Sequence, residues 1–581
     1  MKSLYRLKIY LKRYRKQYLL GCFYILLATV FYTVSPLVLK FTINSIEKGI
    51  SFRELTLYSL AIVGLGVLHL IFRFLMRYTM IGASRKIEYD LRNDFFAHLL
   101  TQSMSFYHNH KTGDLMARAT NDLNAVRSVV GPALMHTIAN LLLFIYVIAL
   151  MLVTSWKLTL LTLIPLPFVA ILSRLVIKRI YNTFKAVQAK YSDLTSMVQE
   201  NMSGVRVIKA YVREENEVQE FENINQDYLK LNLKLTRVRA MLFAGMSFLM
   251  GLGMVVLLGM GGWLVIAQDI QIGDFVAFTV WLGMLAWPMI SYGWIMNLLQ
   301  QGAASMARIN TIMDTPPDIV EDERTDYSIK DFQGSIEFRN VSFTYPGLDE
   351  KVFDNVSIHL KQGETLAIIG PTGSGKTTLV NLICRLIETD EGEILIDGMD
   401  IRTFPLRTLR KNIGYVPQET FLFSESIADN ISFGIETTSF EEIERAATFS
   451  TIRFDVEDFP KQYDTMVGER GITLSGGQKQ RTALSRAIIR RPKILILDDA
   501  FSSVDTETEE KILNRFKDEM TRQTNIVISQ RVSTVKNADH IIVLSEGRII
   551  ERGTHKSLLK GEGFYADLHR KQLLQEAIEK M

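Results

Sequence analysis

The sequence predicts an all-α transmembrane domain of six helices with long cytoplasmic helical extensions, followed by a separate α/β domain. Three observations carry this expectation. The first half of the 581-residue chain contains six apolar runs free of charged residues. The connections between alternate runs exceed fifty residues, lack proline and carry charge with apolar residues at helical spacing. The second half alternates strand-like and helix-like segments around LAIIGPTGSGKTTLV (Leu366–Val380). A chain of this length needs at least two cores. Its 48% hydrophobic and 22% charged residues suit an average over an apolar half and a soluble half.

Residues 1–17 contain Lys2, Arg6, Lys8, Lys12, Arg13, Arg15 and Lys16 and no acid. The apolar run that follows is too long for a cleavable leader and lacks a small-residue cleavage site. Tyr18–Leu39 is instead long enough to cross a bilayer, which takes about 20 residues. Comparable runs are Leu55–Phe72, Ser128–Trp156, Leu158–Ser173, Ala240–Gln268 and Phe275–Ala307. The fourth is short, with Arg174 and Lys178 placed to snorkel. Basic residues ahead of the first run favour a cytoplasmic N-terminus. The outer loops are then the short ones, around Glu47–Arg53, Thr154–Lys157 and Asp269–Asp274. The inner connections, Arg73–Arg127 and Arg174–Arg239, read as helices that descend, turn and climb back. Turns are expected near Phe106–Asp114 and Ser203–Tyr211, where Gly113 and Gly204 break the pattern.

His69, His136, Asn140 and Asn297 are polar residues within the runs. Each can line a substrate path or make an interhelical hydrogen bond. The last run is rich in aromatics and methionines, and Pro288 would kink it. Trp281, Met284, Trp287 and Tyr292 are candidates for an adaptable cavity wall. Lipid or helix packing explains them about as well.

Pro316-Pro317 and the acidic stretch after it mark a linker, giving a membrane domain at 1–315, a linker at 316–334 and a second domain at 335–581. SIEFRNVSFTYP (335–346), ILILDDA (494–500) and NIVIS (525–529) read as strands. HIIVLSEGRIIERG (540–553) reads as a hairpin turning at Glu546-Gly547. Within Leu366–Val380, a buried strand leads to a glycine-rich turn and a helix starting near Lys376. Gly370, four residues, then Gly375-Lys376-Thr377 is the phosphate-loop spacing. Small residues let the backbone N–H groups of Gly373, Ser374, Gly375 and their neighbours curl round an anion at a helix N-terminus. Lys376 supplies charge for the outer phosphates, and the Thr377 hydroxyl suits Mg²⁺. The chain is expected to bind a nucleoside triphosphate. A net charge of +4 makes no case for nucleic acid. Cys22 and Cys384 lie in regions of different character and are expected to be reduced thiols without a metal.

The order of motifs then carries a resemblance. Tyr345, the phosphate loop, Gln418 in YVPQET, LSGGQKQR (474–481), Asp498-Asp499, SSVD (502–505) and Ser529-Gln530-Arg531 together resemble the nucleotide-binding domain of ATP-binding-cassette (ABC) transporters. With six spans ahead of it, the whole chain resembles a half-transporter of the multidrug exporter type. FYHNHKTGDLMARATNDL (106–123) and GVRVIKAYVREE (204–215) are similar to that family's cytoplasmic coupling regions. The resemblance implies a P-loop NTPase (ABC ATPase) domain binding ATP through Tyr345, Gly370, Thr372, Gly373, Ser374, Gly375, Lys376, Thr377, Thr378, Gln418 and Asp498. Tyr345 would stack on adenine. Mg²⁺ would be held by Thr377, Gln418 and Asp498. Ser475, Gly476, Gly477 and Gln478 would act on ATP held by an opposite subunit.

The sequence departs from the family at two positions. The residue after the Mg²⁺ aspartate is usually glutamate and is Asp499 here; the residue near the γ-phosphate is usually histidine and is Gln530. Both catalytic positions are therefore expected to be degenerate, while the signature is intact. The implied assembly is a heterodimer with a second half-transporter that supplies catalytic Glu and His. It would sit in a bacterial plasma membrane, with N-terminus and ATPase domain cytoplasmic and amphipathic small molecules as substrate. The alternatives are a homodimeric lipid or peptide exporter with slow ATPase, and an ATP-gated regulatory or channel protein. An importer fits less well, since importers of this superfamily usually keep the two parts on separate chains. No peptidase segment precedes the first run, so a bacteriocin-processing role is not expected.

Overall fold

The computed structural model describes residues 2–468, 471, 473–519 and 523–579. Its contacts divide the chain into two compact units, Met1–Leu100 with Thr112–Thr315 and Thr101–Lys111 with Pro316–Met581.

The first unit is helical. A 3₁₀ turn at Lys2–Arg6 leads into α1 (Leu7–Arg13), α2 (Arg15–Glu47) and α3 (Phe52–Thr101). The short helix α4 (Met104–Asn109) belongs to the second unit; the chain returns to the first with α5 (Thr112–Ala117) and α6 (Leu123–Ser128), which precede α7 (Leu134–Thr154). Then come α8 (Trp156–Leu163), α9 (Pro165–Ser203), α10 (Val205–Ala210), α11 (Glu214–Val256), α12 (Gly262–Ile266), α13 (Ile272–Met284) and α14 (Ala286–Met313). Among the described residues, five stretches are long and apolar enough to cross a membrane: Arg15–Glu47, Phe52–Thr101, Thr112–Thr154, Glu214–Ile266 and Ile272–Met313. The expected fourth span is instead divided between α8 and α9 at Ile164, where Pro165 has no N–H to continue the helical ladder to Leu161. The side chains of Arg174 and Lys178 lie outside the described residues.

The first inner turn differs from the glycine-based expectation. The helix stops on either side of α4, at Gln102-Ser103 and at His110-Lys111, while Gly113 lies inside α5. The His110 ring closes α4 by contacting the Phe106 carbonyl oxygen (2.9 Å) and stacking on the Phe106 ring at 4.2 Å. Gly204 does interrupt the second connection, between α9 and α10. The long helices α9 and α11 pack along each other as an antiparallel pair. In the last run the helix breaks at Leu285. A proline ring clashes with the carbonyl four residues before it, so Pro288 acts at Met284, where α13 ends.

Phe278, Trp281 and Leu285 form a buried cluster with Val147, Met151, Leu158 and Leu257. Polar ties also join the helices: Asn140 donates to Ser291 Oγ at 2.7 Å, and His69 Nδ1 meets the Ala28 carbonyl oxygen at 2.9 Å. By contrast, the most apolar window of α3 is 0% buried within the chain. Such a face is stable only against lipid or another polypeptide.

The second unit holds two sheets. Strands β1 (Ile336–Phe343), β2 (Phe353–Leu360), β4 (Glu391–Ile396) and β5 (Met399–Asp400) form an antiparallel sheet in the order β2-β1-β4-β5. Strands β3 (Thr365–Ile369), β6 (Ile413–Val416), β7 (Ile494–Asp498), β8 (Thr524–Ile528), β9 (His540–Ser545) and β10 (Arg548–Gly553) form the other, ordered β10-β9-β3-β8-β7-β6. All its pairs are parallel except the β9–β10 hairpin. That hairpin turns at Glu546 and Gly547, both at positive φ (47° and 74°), the geometry of a two-residue turn matched to strand twist. Because helices cover both faces of a parallel sheet, β7 is buried along its whole length. The free carboxyl ends of β3, β8, β7 and β6 lie side by side, and a ligand binds there in open α/β sheets.

Candidate nucleotide-binding site

Strand β3 feeds the glycine-rich loop, and α15 (Lys376–Ile383) leaves it. Two glycines are sterically required. A Cβ on Gly370 would collide with the Leu544 carbonyl oxygen, and one on Gly375 would lie 2.8 Å from the Phe353 ring, at a φ of 95°. Nothing lies within 4 Å of a Cβ at Gly373, so the tip of the loop is uncrowded.

The Lys376 ammonium turns back on its own loop, donating to the carbonyl oxygens of Gly370 (2.9 Å) and Pro371 (2.7 Å). Burial holds it below the ordinary lysine value, while Asp498 and Asp499 pull it up. A desolvated cation ringed by a glycine loop fits a polyphosphate. Thr377 Oγ1 donates to the buried carboxylate of Asp498 at 2.7 Å. Burial raises Asp498 above the usual carboxylate range and Asp499 adds to this, against the Thr377 hydrogen bond and Lys376. Thr377, Asp498 and Gln418, the last two residues beyond β6, offer hydroxyl, carboxylate and amide oxygens, the hard donor set that suits Mg²⁺. When bound, Mg²⁺ would neutralise charge on the outer phosphates.

Tyr345 lies two residues beyond β1. Its hydroxyl meets Thr378 Oγ1 at 3.0 Å, and its ring stands edge-on to Phe343 at 5.0 Å. The aromatic face is thus held beside the start of α15, as an adenine platform requires.

Asp499 follows β7 in the left-handed region (φ 50°), which Asp tolerates better than most residues. Its N–H donates to the Ile528 carbonyl oxygen (2.9 Å), tying the end of β7 to the end of β8, from which Gln530 emerges two residues later. Burial raises Asp499, opposed by Arg531 and Lys376. Gln530 is exposed, and its backbone carbonyl accepts from Gln572 Nε2 (2.7 Å). Asp499 and Gln530 therefore occupy neighbouring strand ends.

The signature residues form a second cluster at the start of a helix, Gly476–Ile488. Ser475 and Gln478 make a reciprocal capping box, and Gln478 Nε2 donates to Asp455 (2.9 Å). A Cβ on Gly477 would lie 2.8 Å from the Ser503 carbonyl oxygen, so the helix start and the SSVD loop touch backbone to backbone.

Sequence reasoning missed what holds that loop. Gln480 is buried; it donates to Ser502 Oγ (2.8 Å) and accepts from Ser503 N–H (2.9 Å). Arg531 donates to the Val504 and Ser502 carbonyl oxygens (both 3.2 Å) and pairs with the buried Glu509 (3.1 Å). A signal existed. Glu509 leads the apolar stripe Ile512, Leu513, Phe516, and Gln480 leads Ala483, Leu484, Ala487, each a polar residue at an apolar helical position.

The four membrane candidates do not come together. Trp281 is 0% exposed and donates from Nε1 to the Thr33 carbonyl oxygen (3.2 Å), and Met284 packs in the same cluster. Trp287 and Tyr292 are 61% and 62% exposed.

Comparison with known proteins matches residues 18–289 to the ABC transporter transmembrane region and residues 353–502 to the ABC transporter family. The chain is 36% identical over 574 residues (98% of it and 97% of the relative) to the probable multidrug resistance ABC transporter ATP-binding/permease protein YheI of Bacillus subtilis. It is 33% identical over 581 residues to the multidrug resistance-like ATP-binding protein MdlA of Escherichia coli, covering 100% of the chain and 98% of the relative. The structure of a bacterial Atm1-family ABC exporter with ATP bound superimposes with a TM-score of 0.81 at 25% identity, covering 96% and 99% of the two chains.

Proposed function

The chain belongs to the ABC transporter family as an exporter half, and from that premise we propose that it is the hydrolysis-poor subunit of a heterodimer. As a family member it is an ATPase-coupled transporter of the bacterial plasma membrane. In the proposed assembly it contributes six spans, the fourth built from α8 and the start of α9. ATP is retained by Tyr345, the loop Gly370–Thr378, Gln418 and Asp498. The Ser475–Gln478 helix start completes the competent site on the partner, which carries Glu and His. Closure of the two ATPase domains on nucleotide would reach the spans through 106–123 and 204–215. Substrates are amphipathic small molecules, in keeping with the multidrug relatives. Trp287 and Tyr292, both exposed on α14, are the better candidates for a cavity wall.

One observation carries the reading. Asp499 and Gln530 sit on strand ends joined by the hydrogen bond from Asp499 N–H to Ile528, so both substitutions fall in one place in the fold. Shortening the carboxylate by a methylene withdraws it by roughly 1 Å, a misplacement that can cost about a hundredfold in rate. An amide cannot become cationic as imidazole can. The signature, which serves the other site, is meanwhile intact and fully capped. The test is to purify the chain alone and together with the half-transporter expressed beside it. The pair should hydrolyse ATP at least about tenfold faster per chain. Equal turnover in both preparations would overturn the assignment.

A further inference from the structure

Residues 3–16 form a strap with two chemically distinct faces. On one face Leu7 and Tyr10 are buried, and the Tyr10 hydroxyl donates to Asp94 at 2.6 Å. Tyr14 donates to Asp90 (3.0 Å) and Arg13 pairs with the same carboxylate (2.7 Å), both contacts on α3. The segment also grips α14: Ser3 Oγ donates to the Ala303 carbonyl oxygen (2.8 Å), Asn310 donates back to the Ser3 carbonyl oxygen (2.9 Å), and Arg6 pairs with Asp314 (3.0 Å). The strap thus bridges the cytoplasmic parts of α3 and α14.

The other face is exposed and carries Lys8, Lys12, Arg15 and Lys16, with Tyr5 just ahead of them and Ile9 among them. Lys8 Nζ lies over the Tyr5 ring at 5.5 Å, and among the described residues none of the four cations has an acid within ion-pair distance. No acidic residue precedes Glu47. Immediately beyond these cations the lipid-facing surface of α2 begins, with Leu19, Leu20 and Phe23 exposed. Cations interleaved with single apolar anchors, just on the water side of a spanning helix, are the pattern of an interfacial segment beside anionic lipid. A soluble acidic protein would also meet the cations, but it would leave Tyr5, Ile9 and the adjoining Leu19 surface uncovered.

We propose that Lys8, Lys12, Arg15 and Lys16 form a binding site for anionic phospholipid headgroups of the cytoplasmic leaflet, and that headgroup binding, acting through the strap, sets the relation between α3 and α14 and hence the rate of the transport cycle. This holds whether the second subunit is a copy of the chain or a different one.

The test places the purified exporter, with its co-purified subunit, in nanodiscs of neutral phosphatidylcholine with or without about 30% phosphatidylglycerol. ATPase rate and phosphatidylglycerol retained in native mass spectrometry are both read. The wild type should run about threefold faster with phosphatidylglycerol, and about 0.5 M salt should reduce the gain, since screening weakens exposed charge contacts. The quadruple variant K8Q/K12Q/R15Q/K16Q should lose both retention and stimulation while keeping its phosphatidylcholine rate; K8R/K12R/K16R should keep both. Asp94→Asn, which weakens the inner face alone, should retain lipid but respond to it less. A quadruple variant that retains phosphatidylglycerol or is stimulated like the wild type would overturn the site. A wild type indifferent to headgroup charge would overturn the regulation.

Discussion

Asp499→Glu combined with Gln530→His is expected to raise ATP turnover at this chain's own site by about ten- to hundredfold. The added methylene would carry the carboxylate from the end of β7 towards the phosphate loop, to a position where it can orient water. At the end of β8, imidazole would supply a group able to carry charge at neutral pH. Because the two strand ends are hydrogen-bonded through Asp499 and Ile528, the residues act on one centre and their effects should not add. Each single variant should fall well short of the pair. The left-handed backbone at residue 499 (φ 50°) suits Asp better than Glu, so the double variant should also lose of order 1 kcal/mol of stability. Steady-state hydrolysis, measured with the partner's own catalytic glutamate removed, isolates this site. An unchanged rate would mean that neither substitution limits hydrolysis.

The second large effect runs the other way. Gly477→Asp in this chain should lower ATP hydrolysis of the proposed heterodimer by about a hundredfold or more, the scale on which preorganised anion-stabilising contacts act. A side chain at 477 meets the Ser503 carbonyl oxygen 2.8 Å away, and a carboxylate there repels the phosphate that the helix N-terminus would otherwise attract. ATP binding to the phosphate loop of the same chain, whose residues form a separate cluster, should change less than about threefold. Filter binding with purified heterodimer reads this directly. Equal loss of binding at both loops would show instead that the substitution unfolds the domain.

The parts legible in the sequence are those where one residue type has one physical use. Gly370, Gly375 and Lys376 could be read directly, because the loop needs absent side chains at two crowded points and a cation between them. Glu546-Gly547 was equally plain as a two-residue turn. Where geometry depends on neighbours, the sequence said less. Gly113 looked like a helix breaker, yet the break is made three residues earlier, where the His110 ring folds back on Phe106. Tyr292 comes eleven residues after Trp281, nearly in phase on an unbroken helix; the interruption at Leu285 removes that phase, and one ring is buried while the other is exposed. The clamp of Gln480 and Arg531 on the SSVD loop joins three distant segments, so no local pattern announced its partners.

The central claim concerns which nucleotide each chain keeps. After many turnovers with Mg²⁺ and photoreactive ATP, the heterodimer is crosslinked, its subunits separated, and the nucleotide on each identified. Uncleaved ATP on this chain, with ADP on its partner, is the predicted result; ADP in equal proportion on both chains would contradict it.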